Sequence, residues 1–118
     1  MINIKHLLIG LIFSTLAQIL AWYQTNGQFI SEWMREHPIL VSILVGIPTG
    51  VSYIYATRYI VNAYPDQVLW PSRLIVFSCG IVTFTIITYL HTGENINLKT
   101  ASCLALALGI VLIQVFWK

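Results

Sequence analysis

The side chains able to do acid–base or metal chemistry are few and poorly placed for it. The carboxylates are Glu32, Glu36, Asp66 and Glu94, and the imidazoles are His6, His37 and His91. All fall near or outside the ends of long uncharged stretches, and no two carboxylates pair inside one. Cys79 and Cys103 belong to no Cys/His cluster with ligand spacing, so they read as packing thiols. No phosphate-cradling glycine loop, G-x-S-x-G elbow or H-E-x-x-H pair occurs. The pattern points away from an enzyme, and it implies no cofactor and no metal.

What remains is polar and aromatic. Gly10, Ser14, Gln18 and Trp22 recur every four residues, which sets them on one helical face. The Gln18 amide in apolar surroundings demands hydrogen-bond partners. Two readings stay open: a cavity residue that touches a solute, or an interhelical hydrogen bond. Further on, Tyr53, Tyr55, Arg58 and Tyr59 crowd together. Such a cluster suits an anionic or aromatic group, with cation–π help, or else anchors the interface with Arg58 snorkelling outward. The candidate cavity-lining set is Ser14, Gln18, Trp22, Tyr53 and Tyr59. Gly46, Pro48 and Gly50 form a candidate hinge, since proline removes a helical hydrogen bond and bends the helix. Ala101, Ala105 and Gly109 make a small-residue face for helix packing, within one chain or between two. Arg73 follows Pro71 at a helix start, where a cation opposes the dipole by up to about 1 kcal/mol. It therefore wants a partner: Asp66, a lipid phosphate or a substrate anion. Thr83, Thr85 and Thr88 are expected to bond back to their own helix.

The elements that must position these residues follow from the charges. Of 118 residues, 8 % are charged and 58 % hydrophobic. An ordinary soluble domain is about 25 % charged. The composition excludes a disordered chain, a nucleic-acid binder with a basic face and a typical soluble enzyme. Uncharged intervals of 26, 21, 20 and 18 residues separate Lys5 from Glu32, Glu36 from Arg58, Arg73 from Glu94, and Lys99 from Lys118. Roughly 20 helical residues cross a hydrocarbon core of about 30 Å. The reading is an all-α membrane protein with four transmembrane helices, short loops and one domain over 1–118. The spans are placed at about 6–23, 38–58, 71–90 and 100–117. A barrel does not fit, because its strands alternate in polarity, whereas the run from Leu104 to Ile113 is unbroken.

Trp22, Tyr23, Trp33, Tyr64, Trp70, Tyr89 and Trp117 mark the boundaries as an aromatic belt. The histidines read as interfacial anchors. The short connection after the third span predicts that spans three and four are antiparallel neighbours. The longer first loop holds either a short interfacial helix around 29–35 or irregular chain. The first span lacks a small-x-small cleavage site, since Ala21-Trp22-Tyr23 puts aromatics there, so it is expected to be retained. Lys5, Arg58, Arg73 and Lys118 lie on one side, and Arg35 and Lys99 on the other. That favours cytoplasmic termini by the positive-inside rule, and the small excess leaves dual insertion open.

These residues resemble the small multidrug resistance proteins of the drug/metabolite transporter superfamily. The stretch Thr15-Leu16-Ala17-Gln18-Ile19-Leu20 is similar to that family's first span, where an Ala-Glu pair carries the carboxylate. Ala63-Tyr64-Pro65 with Trp70 resembles its turn between spans two and three. The segment from Gly93 to Leu98 resembles its last turn, and that from Leu104 to Ile113 its final helix. A related four-span family of uncharacterised proteins is similar too, with an Ala-Trp-Tyr triplet closing span one and a Gly-Glu turn before span four. The resemblance implies a four-helix unit that dimerises around a central cavity. Gln18 stands where the exporters have glutamate, which argues against proton-coupled export of cations.

The functional expectation is a small homodimeric transporter that moves a polar or amphipathic solute through a central cavity. Its partners would be membrane lipid, a second copy and a small-molecule solute, without nucleic acid. The alternative is a non-transporting accessory, scaffolding or phage-type permeabilising membrane protein.

Overall fold

The computed structural model describes residues 2–117. Lys118, counted above for orientation, lies outside them. Helix α1 covers Ile4–Asn26, and a 3-10 turn over Gly27–Phe29 leads to the short helix α2, Glu32–Glu36. Helices α3 (Pro38–Ala63), α4 (Trp70–Thr92) and α5 (Leu98–Phe116) follow. The fold is all-α, and α1, α3, α4 and α5 are each long and apolar enough to cross a membrane. The charge-free intervals locate the four spans but not the helix ends. Those ends are set by capping chemistry, which does not require charge. Asn3 Oδ1 accepts from the His6 amide at 3.2 Å, and Asn97 Oδ1 from the Thr100 amide at 2.8 Å. Gly93 closes α4 in the left-handed region, at φ 70°. Helix α3 runs past Arg58 to Ala63, so Arg58 stands inside the helix.

In the first loop, Ser31 caps α2, and Glu32 and Arg35 sit at the helix ends that suit their charges. They pair at 3.7 Å. The short-helix reading of this loop holds, with a start a few residues later than 29.

Helix α1 is central. It packs along α3 and against α4, and α3 also meets α4. Among the described helices, α5 packs against its neighbour α4 only. Gly10 makes the α1–α3 contact close: a Cβ there would stand 2.5 Å from Ile60 Cγ1 and 3.3 Å from the Ala56 carbonyl oxygen. At one end of the bundle Leu7, Ile60, Ala63, Ile75 and Val76 form the apolar core. That end is tied by the Asn3 amide donating to the Ala63 carbonyl at 2.7 Å. Tyr64 Oη also donates there, to the Gln114 carbonyl on α5, at 2.7 Å. The outer faces stay apolar, with Ile39 78 % and Leu106 72 % exposed. Such a surface requires lipid as its solvent.

Candidate functional site: a cavity along helix α4

The face of α1 divides between two neighbours. Leu7, Gly10, Ser14 and Ala17 are buried, and Gly10 meets α3. Gln18 and Trp22 turn to α4. Gln18 Nε2 donates to the Val76 carbonyl at 3.2 Å, and Trp22 Nε1 donates to Thr88 Oγ1 at 2.9 Å. Gly80 makes room for the Gln18 amide, since a Cβ at that position would lie 2.8 Å from Gln18 Oε1.

Beside this contact lies a cavity of about 760 Å³ lined by residues of α1, α3 and α4 and by Leu69. Gln18, Tyr53, Thr57 and Arg73 supply most of its polar chemistry, and Phe77, Ile81 and Phe84 much of its apolar wall. Gln18 both bonds across helices and lines the cavity. Its Oε1 and second amide hydrogen have no protein hydrogen-bond partner among the described residues. A second cavity of about 260 Å³ lies toward the other end of α4 and includes Trp22, Asn26, Phe84, Thr88 and Glu94. The two cavities share Phe84.

The expected cavity set is therefore split. Gln18 and Tyr53 line the larger cavity, and Trp22 lines the smaller one. Ser14 and Tyr59 line neither. Ser14 is fully buried, and its hydroxyl has no hydrogen-bond partner among the described residues. Tyr59 stacks on Phe13 at 5.9 Å between ring centroids, and Tyr55 does so at 5.4 Å. The reason is helical geometry. Tyr53 and Thr57 are four residues apart on one face, and Tyr55 and Tyr59 occupy another. Arg58 lies 5.0 Å from the Tyr55 ring centroid, a cation–π contact away from the cavity.

The candidate hinge is also redistributed. Helix α3 is continuous through Pro48. Gly46 is approached by the Gln24 side chain, whose Nε2 would be 3.3 Å from an added Cβ, whereas nothing lies within 4 Å of one at Gly50. On α5 a Cβ at Gly109 would likewise meet open space, and Ala101 and Ala105 are exposed. The small-residue face is thus uncovered within the single chain.

Compared with known proteins, the chain matches no family model, no curated protein and no solved structure.

The residues themselves carry the argument. Thr85 bonds back to the Ile81 carbonyl as expected, but Thr88 instead accepts from Trp22. Next to that bond, Tyr23 Oη and His91 Nε2 lie 2.7 Å apart, and the His91 ring stacks on Trp22 at 5.1 Å. This cluster fastens α1 to α4 at the bundle end opposite Tyr64. Arg73 has no carboxylate within 4.0 Å, because the one ion pair among the described residues joins Arg35 to Glu32. Asp66 is therefore not its partner. Thr57, Arg73, Phe77, Gly80 and Phe84 complete the site beyond the sequence-based set. Two of them left a signal: a glycine in mid-span, and a cation placed against a helix dipole.

Proposed function

We propose that the chain is a small integral membrane transporter of the drug/metabolite transporter type. It works as a homodimer that moves a small polar or amphipathic solute through the cavity beside α4. The observation that supports this most is Gln18. It is anchored to the Val76 carbonyl through one amide hydrogen and keeps its oxygen and second hydrogen for a solute. The cavity volume lies in the range of small-molecule sites. The chain is not proposed as an enzyme. The termini are proposed to face the cytoplasm, on the balance of Lys5, Arg58, Arg73 and Lys118 against Arg35 and Lys99.

The uncovered Ala101, Ala105 and Gly109 face of α5 is the surface proposed to bury against the second copy. The same bare helix gives the second reading its support. An accessory or scaffolding protein would use α5 to join a different, larger partner.

The test is reconstitution of the purified chain into liposomes, with a panel of neutral, anionic and cationic solutes. Saturable flux that disappears in Gln18→Leu, from a protein that is dimeric in mild detergent, is the expected result. Flux that is unchanged in Gln18→Leu, or isolation of the chain only with a larger partner, would overturn the transporter reading.

A further inference from the structure

The larger cavity carries a charge pattern that narrows the solute. Its wall includes Arg73 and, among the described residues, no carboxylate. Asp66, the nearest carboxylate along the chain, does not line it and makes no ion pair with Arg73, and Glu94 lines the smaller cavity instead. Arg73 is also the cation that α4 places at the wrong end of its own dipole, and among the described residues no ion pair within 4.0 Å offsets that. An anion seated on Arg73 would remove both deficits. Guanidinium is suited to this, since its fork of N–H donors matches the oxygens of a phosphate or carboxylate.

Below Arg73 the wall turns apolar. Phe77, Ile81 and Phe84 follow along α4, and Phe77 and Phe84 are 52 % and 50 % exposed. From Arg73 to Phe84 the helix rises about 16 Å. The cavity therefore presents a cationic head site near the start of α4 and an aromatic trough along that helix, open at Phe77 and Phe84. A fully hydrated inorganic ion would leave the trough unused, and a cation would meet Arg73.

We infer that this cavity binds an anionic amphiphile, with its acidic head on Arg73 and its apolar tail along Phe77, Ile81 and Phe84. The inference rests on the site described for transport and names its substrate class. It concerns binding, so it stands or falls independently of whether the chain moves what it binds.

The test uses the full chain in nanodiscs of zwitterionic lipid, with radiolabelled octyl phosphate as the probe and empty discs subtracted. Saturable binding is expected, weakened by about tenfold or more in Arg73→Gln, since a lost charged hydrogen bond is of that size. Arg73→Lys should keep most of it. Arg58→Gln, which removes a cation outside the cavity, should leave it unchanged. Octyltrimethylammonium and inorganic phosphate should fail to compete. Equal binding in Arg73→Gln overturns the proposal. Competition by inorganic phosphate at the probe's own concentration also overturns it, in favour of a free-anion site. Loss of the probe when phosphatidylglycerol is added to the discs supports it and identifies a bilayer lipid as the amphiphile, whereas a probe that stays bound points to a free amphiphile. Retained binding without flux in liposomes supports this inference while ending the transporter reading.

Discussion

The amide of Gln18 lies against the bare backbone of Gly80, and its Nε2 reaches past that glycine to the Val76 carbonyl, 3.2 Å away. The polar centre of the cavity thus depends on a missing side chain on the facing helix. The nearest atoms to an added Cβ belong to the mobile end of Gln18, not to backbone. Gly80→Ala should therefore fold. The alanine gains up to about 1 kcal/mol of helix propensity. The displaced interhelical bond costs a similar amount, averaging about 0.6 kcal/mol and at most about 1.7 in a membrane. Thermal stability in detergent should move little, whereas solute binding or flux should fall as in Gln18→Leu. A large loss of stability with normal binding would contradict this account.

Trp22 and Thr88 form the second polar tie between α1 and α4. Trp22→Phe and Thr88→Val each remove one partner. A double-mutant cycle on reversible unfolding should give a coupling of about 0.6 kcal/mol, and not more than about 1.7. Zero coupling would mean that the indole and hydroxyl do not meet.

Tyr64 gives a pH dependence outside the spans. Burial pushes its phenol up from the usual tyrosine value, and the neutral phenol donates to the Gln114 carbonyl. The folded value is above the unfolded one of about 10. The folded state therefore holds the proton more tightly, and this contribution is fully present below pH ~10. It is lost as pH rises from there through the folded value. The unfolding midpoint of the unaltered chain should drop above pH ~10, and part of that drop should vanish in Tyr64→Phe.

The spans were legible because charge is so costly in hydrocarbon that ten charged residues in 118 partition the chain by themselves. Helix ends were less legible, since Asn3 and Asn97 terminate helices without charge. In the site, Gln18 was found because an amide in a lipid span is conspicuous. Tyr59 was misplaced because proximity in sequence to Tyr53 says nothing of the angle between them around α3. Gly80 escaped notice, and Thr88 was assigned to its own helix, because their roles arise only when α4 is set against α1. Periodicity on one helix cannot reveal that placement.

Three of the helical glycines, Gly80, Gly10 and Gly109, sort into different roles, and one comparison tests the sorting. At Gly10 an added Cβ would lie 3.1 Å from the Ile60 backbone nitrogen and 3.3 Å from the Ala56 carbonyl oxygen, in addition to its contact with the Ile60 side chain. Backbone cannot yield as a side-chain terminus does, so Gly10→Ala should force α1 and α3 apart. Overpacking of this kind costs about 1–3 kcal/mol, which outweighs the helix-propensity gain of up to about 1. At Gly109 nothing lies within 4 Å, so Gly109→Ala should leave the folded single chain unharmed or slightly stabilised. Any deficit there must come from a second molecule packed on α5. Gly109→Leu should then shift the dimer to monomer in sedimentation velocity while unfolding of the chain in excess detergent stays unaltered. A dimer that survives Gly109→Leu would remove α5 from the proposed interface.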